Sequence, residues 1–341
     1  MRTSRKNPMP YGPVMAVLTL VLILCLIASV VLGRYPIGWK ELICILLSRV
    51  AEIDPLWSKT QEALLLNHRL PRIILACLVG CSLSSAGVAY QGVFQNPMAS
   101  PDILGASAGA AFGAALAILL NLGSTMIMIF AFIFSLGTVA IVMYTGHRVR
   151  GKRSLGLILS GVMIGSVVSS ATSFIKLVAD PEDQLPAITY WLMGSLNGTS
   201  PKDVRFALLP MSFGLLFLFL LRWRVNVLTL GDEEARTIGI NTGKLRTAII
   251  LHATLVTAAS VSVSGVISWV GLVIPHFTRR LVGNNYRYLM PASMLFGAIF
   301  LLLVDNVSRN LLPTEIPIGI LTSLIGAPFF IFLMSKDGEC V

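Results

Sequence analysis

Apolar runs, most of about 17–25 residues, recur from end to end of this chain, long enough to cross a hydrocarbon core of about 30 Å. Ten stand out: residues 14–32, 73–90, 105–121, 125–144, 155–178, 204–221, 247–264, 267–281, 291–304 and 316–334, the eighth and ninth being short. A backbone in lipid can satisfy its polar groups only as helices or as a closed β-barrel, and a barrel would show alternating apolarity, not continuous runs. Only 12% of the 341 residues are charged, where soluble domains carry about 25%. The expected fold is all-α: one polytopic transmembrane domain over residues 1–341 with about ten transmembrane helices. An even number of spans puts both termini on one side.

Lysine and arginine choose that side. With the N-terminus inside, the cytoplasmic segments collect Arg2, Arg5 and Lys6, then Arg148, Arg150, Lys152 and Arg153, the cluster from Arg222 to Arg246, Arg279, Arg280 and Arg287, and Lys336. The segment 179–203 is acidic instead (Asp180, Glu182, Asp183, Asp203). Both termini are therefore expected in the cytoplasm, and the excess of 26 Lys+Arg over 16 Asp+Glu calls for no nucleic-acid partner. The first apolar run is long and lacks an A-x-A-like cleavage site, so it reads as an uncleaved span. The five cysteines (Cys25, Cys44, Cys77, Cys81, Cys340) form no CxxC and no Cys/His cluster, so neither a metal site nor a cofactor is expected.

Residues 91–115, QGVFQNPMASPDILGASAGAAFGAA, interrupt the regular pattern. Pro97 and Pro101 end regular helix, and Gly105, Gly109 and Gly113 recur at the spacing that lets helix backbones approach. Packing alone does not explain Gln91, Gln95, Asn96, Ser100 and Asp102, because uncompensated polar groups at membrane depth cost several kcal/mol. They are expected at the cytoplasmic rim or lining a wet cavity. Gln91, Asn96, Pro97, Gly105, Ser107 and Gly109 are thus the pathway and packing candidates. His276, beside Arg279 and Arg280, reads as a rim residue.

The chain carries no energy source of its own. GHRVRGKR (146–153) falls one residue short of the phosphate-binding GxxxxGK[ST], lacks the hydroxyl that would hold magnesium, and follows a span, not a strand. No HExxH, GxSxG or GxGxxG stands in a supporting context, and no span has an Asp, Glu or Lys near its centre, which ion-coupled carriers usually display. Against that background the polar island 222–246, RWRVNVLTLGDEEARTIGINTGKLR, gains weight. Asp232, Glu233 and Glu234 followed by Ala235, Ile238 and Ile240 have the charge order of a short helix, acids at its positive end. Such a helix outside the bilayer has no spanning role; it is expected to be a docking surface, with Ala235 and Ile238 facing the partner.

Residues 68–109, HRLPRIILACLVGCSLSSAGVAYQGVFQNPMASPDILGASAG, strongly resemble the signature of FecCD-type permeases of ABC importers. The same pattern recurs in LTLGDEEARTIG (228–239), GVISWVGLVIPHFTRR (265–280) and EIPIGILTSLIGAPFFIF (315–332), in order along nearly the whole chain. The resemblance implies two permease copies (a homodimer, or a pair of related chains), two cytoplasmic ATPase subunits that bind the ATP and magnesium, an extracytoplasmic substrate-binding protein, and a place in the cell (inner) membrane. It makes residues 228–239 the coupling helix, with Leu228, Gly231, Glu233, Glu234, Ala235, Ile238 and Gly239 as its candidates. Arg69, Arg72 and Arg309 match arginines that engage carboxylates on the binding protein. Ser154 and Leu155 fall at the cytoplasmic gate, where the bulky Leu155 departs from the small hydroxyl residues of the vitamin B12 branch.

The function so implied is transport without catalysis by this chain: import by alternating access, with an iron(III)–siderophore complex as first cargo and vitamin B12 or another corrinoid, haem or molybdate as alternatives. A stand-alone channel or secondary carrier is the competing class.

Overall fold

The computed structural model describes residues 10–33, 35, 37–48, 57–149, 153–237 and 239–336. Of the sequence candidates, Ile238 lies outside them, as do Arg150 and Lys152. The helices are α1 (Tyr11–Val31), α2 (Trp39–Leu47), α3 (Lys59–Leu64), α4 (Leu70–Phe94), α5 (Ala106–Leu119), α6 (Ser124–Arg148) and α7 (Arg153–Val178). They continue with α8 (Gln184–Leu192), α9 (Pro201–Leu230), α10 (Asp232–Thr237), α11 (Thr242–Ser264), α12 (Val270–Val282), α13 (Tyr286–Asn310) and α14 (Ile318–Lys336). No strand occurs among the described residues, so the all-α expectation holds.

Each of the ten expected spans falls on a helix. Among the described residues, seven helical stretches are long and apolar enough to cross a membrane, and α5, α12 and α14 are the shorter helices on which the other spans fall. The boundaries are where the expectation failed. The ninth span, read as 14 residues from Pro291, is the 25-residue α13. Its proline is the sixth residue and removes one hydrogen bond of the ladder, that to the Arg287 carbonyl, while Asn285 caps the true start through its side chain, accepting from Arg287 N at 3.0 Å.

The stretch between the first two apolar runs contains α2 and α3. Helix α3 opens on a capping box between Ser58 and Gln61 and runs through a π turn, Leu65–Arg69, straight into α4. Pro71 supplies the reason for that wide turn: its ring clashes with the carbonyl four residues back and offers it no N–H. Helix α8, inside the acidic 179–203 segment, was not foreseen.

Side-chain contacts sort the helix ends. At one end Tyr11 meets Tyr288 with ring centroids 4.6 Å apart, Asn226 donates to Asn285 at 3.0 Å, and the Gln95 amide donates to the Leu228 carbonyl. The starts of α1 and α13 therefore lie beside the ends of α4 and α9. At the other end Arg69 reaches the Val30 carbonyl at 2.9 Å, and Gln184 reaches the Leu119 carbonyl at 3.1 Å. The short α10 belongs to the first end, called below the α10 end.

Helix α4 is the axis of the bundle: most of its residues are buried, whereas α1 buries only Val14, Leu18 and Ser29. It packs on α13, α11, α9 and α12, pinned by Ser84 Oγ to the Ser293 carbonyl (2.8 Å) and by Tyr90 Oη to Thr254 Oγ1 (2.8 Å). The tightest crossing has no side chain in it. A Cβ on Gly87 would stand 1.8 Å from the Gly271 carbonyl oxygen, so backbone lies directly on backbone, as small residues permit in membrane bundles.

Candidate functional site

The polar island divides three ways. Its first nine residues prolong α9, its last five begin α11, and only Asp232–Thr237 form a separate helix. Gly231 (φ +121°) and Gly239 (φ +79°) make the corners on either side, with backbone angles that side-chain-bearing residues rarely adopt. Glu233, Glu234, Arg236 and Thr237 are exposed. Ala235, expected to face a partner, is instead fully buried on the face that α10 turns to α9 and α11. Leu228 is likewise fully buried, within α9. The cause is simple: in a six-residue amphipathic helix the apolar face is the one its own bundle needs, so the polar face is left for anything else.

At the opposite end the structure brings Arg69, Arg72 and Arg309 together, each no more than 7% exposed. Arg69 donates to the carbonyls of Val30 and Tyr35. Arg72 Nε lies 2.8 Å from Asp305 Oδ1, and its Nη1 2.8 Å from Glu315 Oε2. Arg309 Nε is 3.1 Å from Asp305 Oδ2. The carboxylates these arginines meet are thus the chain's own. Asp305 is not among the sequence candidates; its position four residues before Arg309 on one helix face is the signal that marks it.

The interrupted region bends back between helices. Gln95 adopts a left-handed conformation (φ +51°) that ends α4, and Asn96 Oδ1 accepts from Met98 N at 2.8 Å. After the exposed Pro97, a single 3-10 turn, Pro101–Leu104, leads to Gly105 (φ +76°) and α5. Ser107 Oγ donates to the Asp102 carboxylate. A Cβ on Gly109 would meet the Phe134 carbonyl at 2.6 Å, so this glycine is where α5 packs on α6.

Gln91 is 2% exposed, and neither atom of its amide has a partner among the described residues; it lines no open rim. Ser154, half-buried, and Leu155, 56% exposed, open α7. There Gly156 passes the Gly146 carbonyl, which places them at the end of α6.

The described residues thus form a bundle of membrane-length helices around a buried axial helix, with one short charged helix at one end. The chain belongs to the FecCD transport family, whose model matches residues 21–336. It is 38% identical to the molybdate import system permease protein MolB of Haemophilus influenzae, over 97% of each chain. It is 43% identical to a protein of Helicobacter pylori described as a probable iron chelatin transport system permease, over 80% of this chain and 82% of that one. A solved structure described as an inward-facing conformation of a metal-chelate type ABC transporter superposes with a TM-score of 0.84 at 38% identity, covering 95% of this chain and 99% of the other. The chain is therefore an ABC importer permease, a multi-pass protein of the cell (inner) membrane and a transport subunit.

Proposed function

We propose that this permease carries an iron(III)–siderophore complex inward, as a homodimer driven by two ATPase subunits and supplied by an extracytoplasmic binding protein. The observation that carries the coupling role is α10. It is anchored to α9 and α11 through Ala235, cornered by two positive-φ glycines, and presents Glu233, Glu234 and Arg236 to solvent. ATP and magnesium belong to the ATPase, and closure of its two copies moves α10 and with it α9 and α11. The cycle needs no chemistry from this chain: energy enters as a difference in stability between two orientations of the helices. Ser154 and Leu155, at the α10 end of the bundle, form the gate on that side.

Arg69, Arg72 and Arg309 serve the binding protein at the opposite end. Three guanidinium groups against two carboxylates leave that cluster one positive charge in excess. Glu315, with 21% of its side chain exposed, is the member that a partner's carboxylate would replace.

Uptake of labelled ferric siderophore into proteoliposomes containing permease, ATPase and binding protein tests the reading. Accumulation that requires both partners and ATP supports it; accumulation without the ATPase would assign the chain to channels or secondary carriers. Molybdate is the second cargo to assay, because the MolB relative matches over nearly its whole length. Uptake of molybdate, haem or a corrinoid with no siderophore uptake would replace the cargo and keep the class.

A further inference from the structure

Between the last turns of α9 and the first turns of α11 lies a cavity of about 810 Å³. Its apolar wall includes Leu221, Leu245 and Ala248, and Trp223, Arg224 and Lys244 also line it. The two neighbouring arginines of α9 are used differently. Arg222 lays its guanidinium 3.6 Å from the centre of the Phe219 ring and donates to the Phe219 carbonyl at 2.8 Å. Arg224 and Lys244 are exposed, and neither side chain has an ion pair or hydrogen bond among the described residues. Among the described residues no carboxylate lines the cavity. Two cations that share a concavity with no acid repel each other unless an anion sits between them.

The surroundings indicate where that anion comes from. Trp223 is 56% exposed, on a helix end where indole rings mark the headgroup level of a bilayer. Deeper along the same two helices, Leu220 and Leu251 are 61% and 53% exposed, and Phe217 stacks on His252 at 4.6 Å. Cations above and an apolar track below match a phosphate headgroup joined to an acyl chain. A water-borne phosphate has no use for the track.

We infer that this cavity binds an anionic phospholipid from the leaflet bordering the α10 end, with Arg224 and Lys244 on its phosphate and a chain against Leu220 and Leu251. Basic pockets between membrane helices recognise anionic headgroups by this chemistry. Gly239 and Ile240, which join α10 to α11, also line the cavity, so an occupied site bears on the segment that holds α10 in place. The inference needs the bilayer placement and does not depend on what the protein transports.

The test uses the full chain in nanodiscs of phosphatidylcholine mixed with phosphatidylglycerol, read by native mass spectrometry of the lipids retained after release. The wild type is expected to retain phosphatidylglycerol enriched several-fold over its bulk fraction. Arg224→Gln with Lys244→Gln should bring retention down to the bulk ratio, whereas Arg224→Lys with Lys244→Arg should preserve it. Unchanged retention in the glutamine pair overturns the inference. Inorganic phosphate that displaces the lipid from the wild type at millimolar concentration reassigns the site to a free anion. Loss of ATPase association by the glutamine pair in pure phosphatidylcholine reassigns it to a protein contact. If the glutamine pair does not fold, the wild-type enrichment together with each single glutamine variant decides the matter.

Discussion

Arg72 and Asp305 stand 233 positions apart in the chain, and Nε of the first lies 2.8 Å from Oδ1 of the second. The pair ties the start of α4 to the end of α13. Asp305 is wholly buried and Arg72 nearly so. Removing one member of such a pair strands a buried charge, a loss of about 3–5 kcal/mol, whereas replacing both by apolar residues is often close to neutral. Arg72→Ala is therefore expected to lower the unfolding temperature sharply, and Arg72→Met with Asp305→Leu and Arg309→Met, which removes every buried charge that Asp305 holds, to recover most of it. Thermal unfolding followed by size-exclusion chromatography in detergent separates the two results.

Docking and stability are entangled at this end. Arg69→Glu with Arg72→Glu would abolish uptake under the docking role, but it also sets new acids beside Asp305 and removes the donors to Val30 and Tyr35. Glu315→Gln is the cleaner probe. It leaves the Arg72–Asp305 pair intact and should change binding-protein affinity by severalfold with a stability loss of no more than about 1–3 kcal/mol. Unchanged affinity at normal stability would remove Glu315 from the docking surface.

The α10 residues should separate by face. Glu234→Arg, on the exposed side, is expected to leave assembly and melting intact while cutting transport-stimulated ATP hydrolysis at least several-fold. Ala235→Asp buries an unpartnered charge and should destabilise the joint itself. Hydrolysis that still responds to transport in Glu234→Arg would deny the exposed face a part in transmission.

Gly87→Ala places a methyl group 1.8 Å from the Gly271 carbonyl oxygen. Neither backbone can yield without moving its helix, so a loss at or above the usual 1–3 kcal/mol or so of an overpacked core is expected. Gly137, within α6, has nothing within 4 Å of the same added group. Gly137→Ala should be neutral or stabilise by up to about 1 kcal/mol, through helix propensity alone. The pair of melting curves checks both.

Gln91→Leu removes an amide whose donor and acceptor are both unpartnered among the described residues. Burying such a group costs about 1–3 kcal/mol by protein mutational measures, so the leucine variant should melt at or above the wild-type temperature. A lower melting point would show that something bound in the folded state satisfies Gln91.

The architecture was legible because lipid enforces it: continuous apolarity over a bilayer's width has one helical answer, and each of the ten runs landed on a helix. The details went unread where the deciding contact is non-local. Nothing near Arg72 announces Asp305, and the burial of Ala235 depends on two helices it does not belong to. α13 was cut short because Pro291 and Arg287 look like terminators in a window, while Asn285 as a cap is a weaker signal. For the arginines, the carboxylates that Arg72 and Arg309 meet within the chain, Asp305 and Glu315, reach Arg72 from 233 positions away or more, which no local pattern announces.

The 30 residues of α9 rise about 1.5 Å each, some 45 Å in all, against a hydrocarbon layer of about 30 Å. Roughly a third of the helix therefore stands outside the layer or is taken up by tilt, and α10 hangs from its tip. A thicker membrane swallows more of that stalk and a thinner one releases it, at a cost of fractions of a kcal/mol per ångström. The reach of α10 into the aqueous phase is consequently a property shared between the protein and the thickness of whatever bilayer holds it.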